Sequence, residues 1–221
     1  MTRVFFDVGS EDGELKERLT FSIYRNVSAQ TRDFLFRFIR EAKPGAFSYR
    51  GSAIYAFTST FFAFGNLTRR GITSKVHPSD PSYPFRTPKL GAGRRIAQEG
   101  HLCLISANAT SSSQELLVTL KDCSNYEKDL VCVGELEGDK STLSRIASYA
   151  DVQMLRTKGI IYIMNCGVEG DPPVPDSPLV DLVIQGERDK RAAEKEREAN
   201  WNREFSLKLG TPAIDMTTVH I

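Results

Sequence analysis

Residues 49–69 read YRGSAIYAFTSTFFAFGNLTR. The run 53–64 within them is aromatic and β-branched, opens after Gly51 and closes at Gly65, and contains no proline, which together predict a strand. Working outward, the same signals recur at 4–8, 19–24, 102–106, 116–120, Leu130–Leu136 and 160–165, each run short and bounded by Gly, Asn, Asp or Ser. Two segments instead have helical periodicity. Residues 29–41 carry Phe34, Phe38 and Ile39 on one face, and 141–149 carry Leu143, Ile146 and Ala147. Seven or more short strands with two helices predict a mainly β fold, a closed barrel plugged at its ends, because closure removes edges that would otherwise pair with other chains.

The stretch 49–69 resembles the active-site strands of the cyclophilins, the peptidyl-prolyl cis-trans isomerases. In that family an aromatic-basic-glycine turn leads through a His-Arg pair to Phe-Met, a Gln, a glycine and Thr-Arg. Tyr49, Gly51, Ser52, Phe61, Gly65, Thr68 and Arg69 fit that pattern, whereas Tyr55 and Ala56 stand at the His-Arg pair, Phe62 at the Met and Phe64 at the Gln. The likeness continues elsewhere. Residues 4–8 and 19–24 are similar to the first two strands of the family, and Asn26, Val27, Thr31 and Phe34 through Ile39 to its first helix and lead-in. Ala107, Asn108, Ser113 and Gln114 fall at the matching places of an Ala-Asn loop and a Ser-Gln strand. Residues 131–136 with Gly134 and 160–167 with a Cys-Gly ending resemble the late strands, so the resemblance covers 1–169. It implies a cyclophilin-like barrel capped by two α-helices.

The resemblance also implies a chemistry. Rotation about a prolyl amide faces a barrier of about 18–20 kcal/mol because it destroys amide resonance. Cyclophilins hold the twisted amide in an apolar cup and aim an arginine at it. Here the implied peptide groove is Phe61, Phe62, Phe64, Asn108, Gln114, Leu116, Tyr126 and Leu130, with Phe61, Phe62 and Leu116 forming the cup and Asn108 and Gln114 gripping peptide backbone. No catalytic residue is intact, because Ala56 at the arginine position has no polar atom. Loss of one preorganised donor of this kind costs about 10²–10³ in rate. Arg50 cannot replace it, lying six residues away, about 20 Å along an extended strand. Arg69 and Arg70 sit beyond Gly65, where the family has an arginine without that role. With Phe57, Phe61, Phe62 and Phe64 in one short stretch, the groove is either open or filled by its own aromatic rings.

Composition narrows the partners. Lys and Arg total 29 and Asp and Glu 28 in 221 residues, a net charge of +1 that favours neither nucleic acid nor a membrane surface. Between 72 and 99 lie four prolines and Arg86, Arg94 and Arg95, but only Tyr83 and Phe85 could stack beside them. A solvated or protein-docking loop is therefore expected rather than an RNA-binding patch. Cys103, Cys123, Cys132 and Cys166 show no metal-ligand spacing and read as buried reduced thiols in a reducing compartment, the cytoplasm with its cytoskeletal or ciliary assemblies, or the nucleus. No metal and no cofactor is expected. Neither a secretory leader nor an 18-residue apolar run is read from the sequence.

Three regions follow: a barrel domain, 1–169; a proline-rich linker, 170–185; and a charged helix with an extended tail, 186–221. In the last, Glu187/Arg191 and Lys190/Glu194 stand at i,i+4 spacing. Trp201, the only tryptophan, is followed one turn later by Phe205. This apolar pair either docks on a partner or folds back on the barrel. The preferred functional expectation is a catalytically impaired cyclophilin-like protein serving as an interaction or structural subunit of a large intracellular assembly, held through its C-terminal arm and barrel surface. The alternatives are a weak isomerase and an adaptor for proline-containing peptides.

Overall fold

The computed structural model describes residues 2–40, 48–65, 97–108, 111–123, 130–151, 156–172 and 179–209. The chain divides into two units, Met1–Ile184 and Gln185–Ile221. In the first, eight strands form one curled antiparallel sheet: β1 (Arg3–Ser10), β2 (Lys16–Ile23), β3 (Ala56–Phe57), β4 (Phe61–Phe64), β5 (His101–Asn108), β6 (Ser111–Thr119), β7 (Leu130–Leu136) and β10 (Ile161–Val168). Their order is β10-β1-β2-β7-β5-β6-β4-β3, and β8 (Ala150–Asp151) with β9 (Arg156–Thr157) makes a separate ribbon. The helices are α1 (Ala29–Arg40), α2 (Ser141–Ala147) and α3 (Leu179–Leu209).

Alternation sets which face is buried. In β1, Val4, Phe6 and Val8 are fully buried, and their partners across β2 are Phe21, Leu19 and Glu17. Each such aromatic or aliphatic side chain contributes about 1.5–3 kcal/mol by leaving water. The sheet wraps these residues into a core that also takes Phe34, Leu35, Phe38 and Ile39 from α1 and Leu143 and Ile146 from α2. Local signals start both helices. Ser28 Oγ accepts from Thr31 N–H at 3.1 Å, capping α1, and Asp139 Oδ1 accepts from Ser141 N–H at 2.8 Å before α2. Gly134 marks where β7 crosses β2 closely: a Cβ there meets Ser22 O at 2.7 Å.

The segment leading into β3 lies along β10, the strand at the other end of the sheet order. Ala53, just before β3, bridges Tyr162 of β10. Gly51 N–H donates to Ile163 O at 2.7 Å, Ile163 N–H to Ser52 O at 2.9 Å, and Ile54 N–H to Ile161 O at 2.8 Å.

Two expectations are corrected. The single strand expected over 53–64 is a hairpin, with β3 and β4 joined by Thr58, Ser59 and Thr60. The cause is local: Thr58 Oγ1 accepts from Thr60 N–H at 3.2 Å and Phe61 N–H at 3.0 Å, offering the backbone a turn in place of a ladder. The linker expected over 170–185 is helical from Leu179 onward. Residues 179–184, LVDLVI, contain no helix breaker, and the proline signal ends at Pro178, where a proline is compatible with a helix start. Gly186, expected to open the helix, lies inside it at a cost of about 0.5–1 kcal/mol relative to Ala.

Over its described residues the second unit is the larger part of α3, whose 31 residues span about 46 Å. Among the described residues no helix is long and apolar enough to cross a membrane. The extended tail expected after the helix, 210–221, lies outside the described residues.

Candidate functional site

The site is built on the β3–β4 hairpin. Ala56 pairs with Ala63 and Phe57 with Phe62, so the two alanines share one face and the two phenylalanines the other. Phe57 and Phe62 stack at 5.5 Å between centroids, and Phe62 continues to Phe64 at 6.5 Å. Phe64 then meets Phe6 edge-on at 5.2 Å and Tyr49 at 5.9 Å. Phe62 and Phe64 pair across the strand with Val118 and Leu116, and all four are no more than 1% exposed.

This placement corrects the implied groove. Phe62, Phe64 and Leu116 do not line an outward-facing cup, because they belong to the barrel interior with Phe6 and Tyr49. The physical reason is the two-residue period of a strand, in which a register change of one residue moves every side chain to the opposite face. Phe61, also expected in the cup, packs instead with Leu117, the cross-strand partner of Ala63, in a separate cluster on the other face.

On that outer face lies a second, smaller apolar cluster: Tyr24, Ala97, Cys103, Leu117, Cys123, Leu130 and Cys132, with Phe61 and Ile105 packed against it half-buried. The fold thus brings together two expected groove residues, Phe61 and Leu130. A polar network borders the cluster. Gln98 N–H donates to His101 Nδ1 at 3.1 Å, so Nε2 carries the ring proton and donates to Tyr24 Oη at 3.2 Å. Tyr24 Oη donates in turn to Glu135 Oε2 at 3.2 Å. Thr119 Oγ1 accepts from His101 N–H at 2.8 Å and donates to the Gln98 carbonyl. The buried Cys103 thiol is held well above the usual thiol range, first by its contact with Cys132 and then by loss of solvent. Cys123 is raised chiefly by loss of solvent.

Among solved structures, the cyclophilin of Mimivirus is similar, with a TM-score of 0.55 and 19% identity, over 77% of this chain and 90% of that one. The fold is cyclophilin-like. No family model matches the sequence, and no curated protein matches it.

Tyr55 is half-buried beside β3, where its N–H donates to Ala63 O at 3.1 Å. Asn108 ends β5 and Gln114 lies in β6, their side chains falling outside the description, as does Tyr126 altogether. Arg50 is 3% exposed and donates from Nη2 to Asn165 Oδ1 at 2.6 Å and to Cys166 O at 3.4 Å, so its guanidinium holds the lead-in to β3 against β10. Arg69 and Arg70 lie outside the described residues. In the second unit Trp201 is 63% exposed, and Phe205 lies in α3 with its side chain undescribed.

Reading the sequence missed Ala63, Leu117 and the set Tyr24, His101, Thr119 and Glu135. Counting by twos outward from Phe61 would have found Ala63. The polar set carries no comparable signal, since its members come from four separate segments that only the sheet order assembles.

Proposed function

We propose that the chain is a catalytically impaired member of the cyclophilin fold that works as an interaction or structural subunit of a larger intracellular assembly. The observation that carries this reading is the Ala56–Ala63 pair. If Ala56 occupies the place of the isomerase arginine, its cross-strand neighbour on that face adds only a second methyl group, and a twisted amide finds no donor from either. Arg50, the nearest arginine in the described hairpin lead-in, is already engaged with Asn165 and the Cys166 carbonyl. The bridge from Ala53 to Tyr162 supports a closed barrel, a rigid body suited to presenting surfaces rather than to turnover.

The partners in this reading are proteins, reached through the barrel surface and through residues 170–221, where Trp201 offers an exposed aromatic anchor. Proline-containing segments are a second class of ligand for the face around Phe61. The test is affinity capture of the endogenous full-length protein beside a form lacking 170–221. A defined set of co-purifying proteins is expected with the full chain and is lost on truncation. Identical recovery from both forms, or no stoichiometric partner from either, contradicts the subunit reading.

A further inference from the structure

Within the outer cluster, Cys103 of β5 and Cys132 of β7 are direct antiparallel partners, and their sulfurs stand 3.1 Å apart. Neither is in a disulfide. Directly opposed residues of an antiparallel pair have Cα atoms about 4.5–5.5 Å apart, within the range of about 4.4–6.8 Å that a disulfide spans. The ladder is irregular between Leu102 and Cys103, but with the sulfurs already 3.1 Å apart only about 1 Å of closure is needed to reach the S–S bond length of about 2.05 Å. Cys123, the third thiol of the cluster, is committed elsewhere, its Sγ donating to Thr60 O at 3.6 Å and Lys121 O at 3.5 Å. We propose that Cys103 and Cys132 are a modification site, a cross-strand dithiol that closes reversibly to a disulfide under a small peroxide oxidant.

The burial of the pair selects the oxidant. Cys103 is 0% and Cys132 4% exposed, which admits hydrogen peroxide far more readily than a bulky disulfide reagent. Cys132, the less buried, reacts first: its thiolate attacks one peroxide oxygen, the O–O bond breaks, and hydroxide leaves to give the sulfenic acid. Cys103 sulfur then displaces the second hydroxide from Cys132 sulfur, and that hydroxide takes the Cys103 proton as water. Two thiols are oxidised by two electrons, and one peroxide is reduced to two waters. The closing step is slow, because the attacking Cys103 is buried and its thiol is raised, and it follows brief opening of the cluster. The product ties β5 to β7 within the cluster that holds Leu117 and Leu130 and against which Phe61 packs. In a reducing compartment such bonds are transient and serve redox sensing. This inference is independent of whether the outer face binds peptide or partner.

Trypsin separates the three cluster thiols: Cys103 falls in 96–121, Cys123 in 122–128 and Cys132 in 129–140. The full-length protein is treated with hydrogen peroxide, and its intact mass and non-reducing peptide map are recorded before and after dithiothreitol. A loss of two hydrogens, a cross-link between 96–121 and 129–140, reversal by the reductant and a melting temperature raised by several degrees are expected. Oxygen adducts with 96–121 and 129–140 still unlinked, a cross-link through 122–128, or no change overturn the proposal. Cys123→Ser should leave the cross-link intact, and its loss in that variant likewise overturns the assignment.

Discussion

Ala56 and Ala63 are direct cross-strand partners in the β3–β4 hairpin, while their neighbours Phe57 and Phe62 stack on the opposite face at 5.5 Å. One hairpin thus separates a methyl-lined outer face from an aromatic interior. Substitutions can test that division.

Phe64→Ala should destabilise the first unit by about 3–5 kcal/mol, because it empties an interior position packed against Phe6 and Tyr49. Phe61→Ala, at a half-buried outer position, should cost about 1 kcal/mol. Denaturant midpoints measure both. Equal losses would place the two rings in equivalent surroundings and reject the division of faces.

Gly134→Ala puts a Cβ 2.7 Å from Ser22 O, a backbone atom that cannot rotate away. Overpacking of this kind costs about 1–3 kcal/mol. Amide exchange at Tyr24, whose N–H donates to Val133 O at 2.9 Å, should accelerate as β2 and β7 part. A variant as stable and as protected as the parent would remove the close crossing.

Much of this was legible in the sequence, and the parts that were not share a cause. The strands around Phe6, Phe21, Val133 and Ile163 and the helix carrying Phe34 and Phe38 announce themselves by local pattern, since each buries alternate or periodic apolar residues. Which face Phe62 or Phe64 occupies does not, because every position from Phe61 to Phe64 is apolar and a one-residue shift leaves the pattern equally good. The hairpin hid for a similar reason: three hydroxyl residues, Thr58, Ser59 and Thr60, continue a β-branched run while turning the chain. The start of α3 at Leu179 was masked by prolines that end one residue earlier.

Stability should depend on pH from both sides. Glu137 is held below the usual carboxylate range by the Ser22 hydroxyl and then Arg3, Asp139 by the Ser141 hydroxyl and Asp12 by the Ser10 hydroxyl. A carboxylate depressed in the folded state contributes stability above its unfolded value of about 4 and loses it as pH falls through the folded value. Cys103 is shifted upward, so its contribution is complete below the unfolded thiol value of about 8.5 and declines as pH rises further. Glu137→Gln should flatten the acid limb and Cys103→Ala the alkaline limb of denaturation curves taken across pH. Variant curves parallel to the parent would contradict these assignments.

Trp201→Ala with Phe205→Ala should leave the denaturant stability of the first unit within about 0.5 kcal/mol, as exposed substitutions do, while releasing the protein from its co-purifying partners. Trp201 is 63% exposed, so its loss opens no cavity. A marked fall in stability with the complex intact would make these residues part of the chain's own packing.

The central claim is that the outer face of the hairpin lacks the donor that prolyl isomerisation needs. It is tested most directly by the isomerase rate of the purified full-length protein on a proline tetrapeptide, measured beside an active cyclophilin. Loss of one preorganised donor predicts a kcat/KM at least about 100-fold lower, with Ala56→Arg raising the rate without restoring it fully. A parent rate within about tenfold of the active enzyme would contradict the account.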